Sequence, residues 1–77
     1  MFRPIVVKAI WDSEAKVWVA ESDDVAGLAT YGRDIEHLIE KLNVMIPELL
    51  EANGENGIEQ IPYQLVSQVS AIANRVH

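Results

Sequence analysis

The sequence contains no cysteine and only two histidines, His37 and His77, which are far apart in the chain. Without cysteine, neither a disulfide nor a thiolate zinc site can form. A chain of 77 residues is close to the size at which one hydrophobic core is only marginally sufficient. Small domains that have neither a disulfide nor a structural metal often gain stability by self-association. The sequence therefore predicts a homo-oligomer, a dimer or larger, that needs no cofactor.

Basic residues are also few, with six lysines and arginines against twelve acidic residues and a net charge of −6. They are scattered singly, at Arg3, Lys8, Lys16, Arg33, Lys41 and Arg75. Because phosphate binding needs clustered basic side chains, we expect no direct contact with nucleic acid. An acidic surface suits a basic protein partner, although it also serves solubility.

Long apolar runs are absent, since no segment approaches the ~20 residues that a membrane helix needs. The N-terminus lacks the basic, apolar and small-residue order of a signal peptide. We therefore expect a cytoplasmic protein without membrane association.

Alternating apolar residues in the first half of the chain predict three strands in an antiparallel meander. The segment "RPIVVKAIWD", residues 3–12, is apolar on both faces, which favours a central strand. A second strand is predicted over residues 16–22 and a short third over residues 28–31. The segment between them, Ser22 to Gly27, breaks the pattern.

A helix is predicted after the third strand, with Asp34 as its N-cap and Asn53-Gly54 as its end. Apolar residues recur at helical spacing between Ile35 and Leu50. Pro47 interrupts this pattern and predicts a kink or a restart, because proline has no backbone N–H to donate. A loop over residues 55–60 follows, with Asn56-Gly57 as turn residues.

The final segment, "IPYQLVSQVSAIANRVH", fits both a strand and a helix. Its serine and valine content favours a strand over about the first ten residues, and both alternatives stay open after Ser70. The order βββαβ predicts a two-layer α+β domain, in which the fourth strand lies beside the first.

Trp11 and Trp18 occupy facing positions in the first predicted hairpin, either as a cross-strand pair or divided between the two sheet faces. One helix can cover only one face of a four-stranded sheet. The other face would then carry apolar side chains that need a partner or a second copy. We predict a partner or oligomer surface that includes Trp11, Trp18, Val6 and Ile10.

Three acidic residues, Glu21, Asp23 and Asp24, form an acidic bend between the second and third strands. Clustered carboxylates can hold a hard cation such as Mg²⁺ or Mn²⁺. Asp and Ser at a bend more often accept hydrogen bonds from nearby backbone groups. For His37, no second group that would orient a general base and no nucleophile is identifiable. We therefore predict no metal site, no catalytic residues and no enzymatic activity.

The strings "WDSEAKVWVAESDDVAGLAT", "IEHLIEKL" and "IPELLEANG" resemble a small stand-alone family of unknown function in the HicB-like superfamily. The resemblance runs from Val6 to about Val69, and HicB antitoxins are more distantly similar. It implies a partial RNase H-like fold and a protein that covers HicA, a small toxin that cleaves mRNA. Ala26 stands where the antitoxins have proline. Residues 1–77 are expected to form a single domain, without the DNA-binding domain that those antitoxins carry.

The resemblance to RNase H does not extend to its chemistry, which requires carboxylates on the first strand, the helix and the fourth strand. The first strand from Ile5 to Trp11 and the fourth predicted strand contain none, and Glu36 and Glu40 lie on the polar side of the helix. We therefore predict an antitoxin-like protein-interaction module, with a small basic toxin as a candidate partner. The alternatives are a homo-oligomeric domain without a toxin and a metal-dependent hydrolase or nuclease at the acidic bend.

Overall fold

The computed structural model describes residues 4–55 and 60–76. Its elements, in chain order, are β1 (Ile5–Asp12), β2 (Val17–Glu21), β3 (Ala29–Gly32), α1 (Ile35–Ala52) and β4 (Tyr63–Gln68). The predicted α+β class and βββαβ order are confirmed. The predicted turn at Asn56-Gly57 lies outside the described residues.

The four strands form one mixed sheet in the order β3-β2-β1-β4. β1 is antiparallel to β2 and parallel to β4, so the fourth strand lies beside the first as predicted. β1 has a neighbouring strand on each side, so it lies inside the sheet as predicted.

α1 begins where the Asp34 carboxylate accepts a hydrogen bond from the His37 backbone N–H at 2.7 Å. It ends at Ala52 with Asn53 as its C-cap, and Gly54 follows with a φ of 85° that suits glycine. The helix continues through Pro47 as one element, rather than ending and restarting there.

The hydrophobic core lies between α1 and one face of the sheet. Its buried residues are Ile5, Val7, Ala9, Ala20, Val25, Leu28, Leu38, Leu42 and Ile46. Val25 and Leu28 belong to the segment between β2 and β3, so this irregular segment also supplies core side chains.

β4 ends at Gln68, which pairs with Ile10, although β1 continues to Asp12. Residues 69–76 form neither strand nor helix, whereas the sequence predicted a strand to about Ser70. Within residues 4–55 and 60–76, no helix is long and apolar enough to cross a membrane.

Candidate functional site

The polar side chains of the acidic bend bind the backbone of β1. Ser22 Oγ donates to the Val6 carbonyl at 2.6 Å, and the Asp24 carboxylate accepts from the Val6 N–H at 2.9 Å. The Asp24 N–H donates to Ser22 Oγ at 3.0 Å. The pairing of β1 with β2 ends at Lys8 and Glu21. Ser22 and Asp24 therefore satisfy β1 backbone groups that lie beyond the end of β2.

The three acids of the bend do not share one environment. Glu21 and Asp23 are exposed, whereas Asp24 is half-buried. Across the described part of the chain, no group of three or more His, Asp or Glu side chains is arranged to hold a metal ion. The contacts at this bend are those of a structural connection between strands.

Gly27 allows the bend to turn back into β3. Its φ is 84°, which lies in the left-handed region that favours glycine. Leu28 N–H donates to the Val25 carbonyl at 3.1 Å across this turn. Asn53 Nδ2 donates to the Ala26 carbonyl at 3.2 Å, so the bend is also attached to the end of α1.

The two tryptophans form a cross-strand pair on the face of the sheet that packs against α1. Trp11 is in register with Trp18, and their ring centroids are 5.5 Å apart in an edge-to-face arrangement. Side chains alternate along β1, so Trp11 shares the face of buried Val7 and Ala9. Trp18 packs against the core.

The predicted partner surface is therefore divided between the two faces of the sheet. Val6 and Ile10 lie on the face opposite α1, whereas Trp11 and Trp18 lie on the α1 side. Alternation along β1 places Trp11 on the face opposite Val6 and Ile10. The register of the first hairpin then places Trp18 on the face of Trp11, because residues directly opposite each other on paired strands share a face.

The face opposite α1, called here the open face, has no helix over it within residues 4–55 and 60–76. Alternation and register assign twelve side chains to it: Val6, Lys8, Ile10, Asp12, Val17, Val19, Glu21, Ala29, Tyr31, Gln64, Val66 and Gln68. Ile10, Val19 and Tyr31 are in register across three strands and are 51%, 41% and 60% exposed. These three residues form an apolar row, and the neighbouring Val66 is 50% exposed.

Lys41 of α1 holds Tyr31 at the end of the apolar row. Its Nζ donates to the Tyr31 carbonyl at 2.6 Å and lies 4.3 Å from the centroid of the Tyr31 ring. A cation over an aromatic face is attracted by the ring, so this contact restricts where the ring can lie.

His37 supports the start of α1. Its Nδ1 accepts from the Arg33 N–H at 3.2 Å, and the residue is half-buried. The hydrogen bond ties the chain before the helix to its first turn.

Tyr63 of β4 connects the sheet to the middle of α1, a contact that the sequence analysis missed. Its hydroxyl donates to Asn43 Oδ1 at 2.8 Å. Burial raises the pKa of Tyr63 above its ordinary value, because a charged phenolate loses hydration there. The only signal in the sequence was the spacing of Tyr63 on the apolar side of a strand.

Comparison with protein families matches residues 4–76 to a domain of unknown function, DUF1902. Among solved structures, the chain is similar to a hypothetical protein from the extremely thermophilic bacterium Thermus thermophilus. The two are 47% identical, the match covers 95% of this chain and 100% of the other, and the TM-score is 0.67. The comparison with curated proteins found no match.

Proposed function

The chain belongs to the DUF1902 family of domains of unknown function, and we propose that it is a non-enzymatic protein-interaction module. In this proposal it associates with a second copy of itself through the open face. The family name carries no activity, so the proposal depends on the surface of the domain.

The observation that carries the proposal is the exposed apolar row on the open face. Ile10, Val19 and Tyr31 lie side by side and are each at least 41% exposed. Contiguous apolar surface on a folded domain is typical of an interaction site, because its burial against a partner is favourable. The small size of the domain adds a reason, since a second copy would extend its core.

The test compares two chemically identical substitutions at different places. Val19→Asp puts a charge in the centre of the apolar row, whereas Val44→Asp puts one on exposed α1 surface, where Val44 is 57% exposed. Sedimentation should show that the unmodified chain and Val44→Asp self-associate and that Val19→Asp is a monomer. Circular dichroism checks that both variants are folded. A monomeric unmodified chain at high concentration would refute the proposal.

A finer proposal is that the module is HicB-like and covers a small basic toxin of the HicA type in the cytoplasm. It is supported by the resemblance of "WDSEAKVWVAESDDVAGLAT" to that superfamily and by the net charge of −6. We expect the chain to co-purify with a small basic protein encoded by the neighbouring gene and to inhibit its RNA cleavage. If it recovers no such protein and no such gene is adjacent, the homo-oligomeric domain without a toxin becomes the better proposal.

The non-enzymatic assignment is supported by the hydrogen bonds of the acidic bend, where Asp24 and Ser22 are engaged with the Val6 backbone. Calorimetric titration with Mg²⁺ and Mn²⁺ separates it from a metal-dependent hydrolase. We expect no binding at millimolar metal. Saturable binding that Asp23→Ala abolishes would favour the hydrolase instead.

A further inference from the structure

The end of the described chain is exposed. Residues 69–76, called here the C-terminal arm, form no strand or helix, and all of them are exposed. Three of them are large apolar residues, with Val69 58%, Ile72 88% and Val76 91% exposed. Single exposed valines are ordinary on a protein surface. Three large exposed apolar residues within eight positions are different, because burying them together against a partner is favourable.

The arm also makes the molecule long. The radius of gyration is 15.1 Å, whereas a compact domain of this length is expected at roughly 11.5 Å. The principal extents are 60 × 26 × 18 Å. These values indicate that the arm projects from the domain rather than folding back over it.

The arm begins at one end of the apolar row. Gln68, the residue before it, pairs with Ile10, and Ile10 continues the row to Val19 and Tyr31. Eight extended residues span about 26 Å, while four strands spaced about 4.8 Å apart span about 14 Å between the outer two. An arm is therefore long enough to cross the open face of another copy.

We propose that two copies of this chain exchange their C-terminal arms, so that each arm lies across the partner's open face. This inference rests on the proposed self-association and specifies how it is achieved.

The size of the surface supports the exchange. The open face offers twelve side chains and the arm adds eight residues. Stable interfaces contain about 20–30 residues on each side. The residues of the open face alone are fewer than this, whereas the open face and the arm together reach the lower end of the range.

The charges of the arm and of the open face also favour the arm as the segment that covers this face. Arg75 is the charged residue of the arm, whereas the open face carries Asp12 and Glu21 against Lys8. A basic arm thus meets a face with an excess of acid.

The first test changes the arm in the full-length chain. Ile72→Asp should raise the dissociation constant of the dimer by about tenfold or more, because it places a charge at the interface. Asn74→Asp adds the same charge at a polar position of the arm and should have a much smaller effect. An unchanged dissociation constant in Ile72→Asp, with Val19→Asp still monomeric, would overturn arm exchange while leaving self-association intact.

The second test uses the absence of cysteine from the chain. A tagged Ile72→Cys chain is mixed with untagged chains that carry Ile10→Cys, Val19→Cys or Tyr31→Cys, and mild oxidation follows. We expect a mixed disulfide between tagged and untagged chains with at least one of these three. Ala52→Cys, at the exposed end of α1, is the control that should not link.

The double variant Val19→Cys/Ile72→Cys distinguishes exchange from folding back. Oxidised while self-associated, it should give covalent dimers. A disulfide within one chain would mean that the arm covers its own open face and would overturn the proposal. Absence of any mixed link at the three positions would also overturn it.

Discussion

At the acidic bend, the side chains of Ser22 and Asp24 bind backbone groups of β1 that a paired strand would otherwise bind. Ser22 and Asp24 bind the carbonyl and the N–H of Val6, which lies beyond the last pair of β1 with β2. An unsatisfied backbone N–H that is removed from water is costly, so these contacts protect the start of the central strand.

We predict that Asp24→Ala lowers the free energy of unfolding by about 1–3 kcal/mol, because it leaves the Val6 N–H without its acceptor. Asp24→Asn keeps an oxygen acceptor and should lose less. Asp23→Ala, at an exposed neighbour, should change stability by no more than about 0.5 kcal/mol. Urea denaturation measures all three. Equal losses at Asp23 and Asp24 would contradict the structural assignment of the bend.

The sequence indicated that the polar residues of the bend bind nearby backbone, and the bond from the Asp24 N–H to Ser22 is of that local kind. The hydrogen bonds to Val6 are not local, because Val6 is eighteen positions from Asp24 in the chain. Only the pairing of β1 with β2 brings Val6 to the bend, so residue types alone could not identify it.

Tyr63 predicts a dependence of stability on alkaline pH. Burial raises the pKa of its phenol above the ordinary 10.0, so the unfolded chain releases this proton first as the pH rises. The contribution of Tyr63 is therefore fully present below pH 10 and is lost as the pH rises through the folded-state pKa. Thermal unfolding between pH 8 and 11 should show a smaller decline for Tyr63→Phe than for the exposed control Tyr31→Phe. Equal declines in the two variants would contradict a contribution of Tyr63 to the pH dependence of stability.

At the scale of elements, β3 and α1 approach each other closely at Gly32. A Cβ added there would lie 2.9 Å from the Leu38 backbone nitrogen, which cannot move without shifting the helix. The glycine is thus required by the packing of the strand against the first turns of α1. Gly32 is the last residue of β3.

We predict that Gly32→Ala destabilises the domain by about 1–3 kcal/mol, the usual cost of forcing extra atoms into a packed contact. Ala29→Ser, at an exposed position of the same strand, should be nearly neutral. Chemical denaturation gives both values. A neutral Gly32→Ala would mean that α1 can move away from β3 at little cost.

The elements that the sequence predicted well are those whose signals are local. Asp34 indicated the helix start, and the two apolar faces of β1 indicated its central position. The face on which Trp18 lies depends instead on hairpin register. Lys16 has a φ of 60°, and its N–H donates to the Asp12 carbonyl at 2.8 Å, which aligns Asp12 with Val17. Alternation alone could not supply that alignment.

At the scale of the whole molecule, α1 covers one face of the sheet, and no other helix of the described residues covers the opposite face. The chain has 77 residues, and a domain of this size buries a smaller share of its surface than a large one does. If the open face and the C-terminal arm are buried only between copies, part of the stability of each protomer comes from its partner. That part must then depend on concentration by mass action.

We therefore predict that the melting temperature of the unmodified chain rises with protein concentration, by roughly 5 °C for each tenfold increase when folding and association are coupled. Val19→Asp should melt at one temperature across the same range, because it removes the association and not the fold. Val44→Asp, with its charge on α1, should keep the dependence. Calorimetry at several concentrations measures these slopes. A melting temperature of the unmodified chain that is independent of concentration would show that each protomer is stable without its partner.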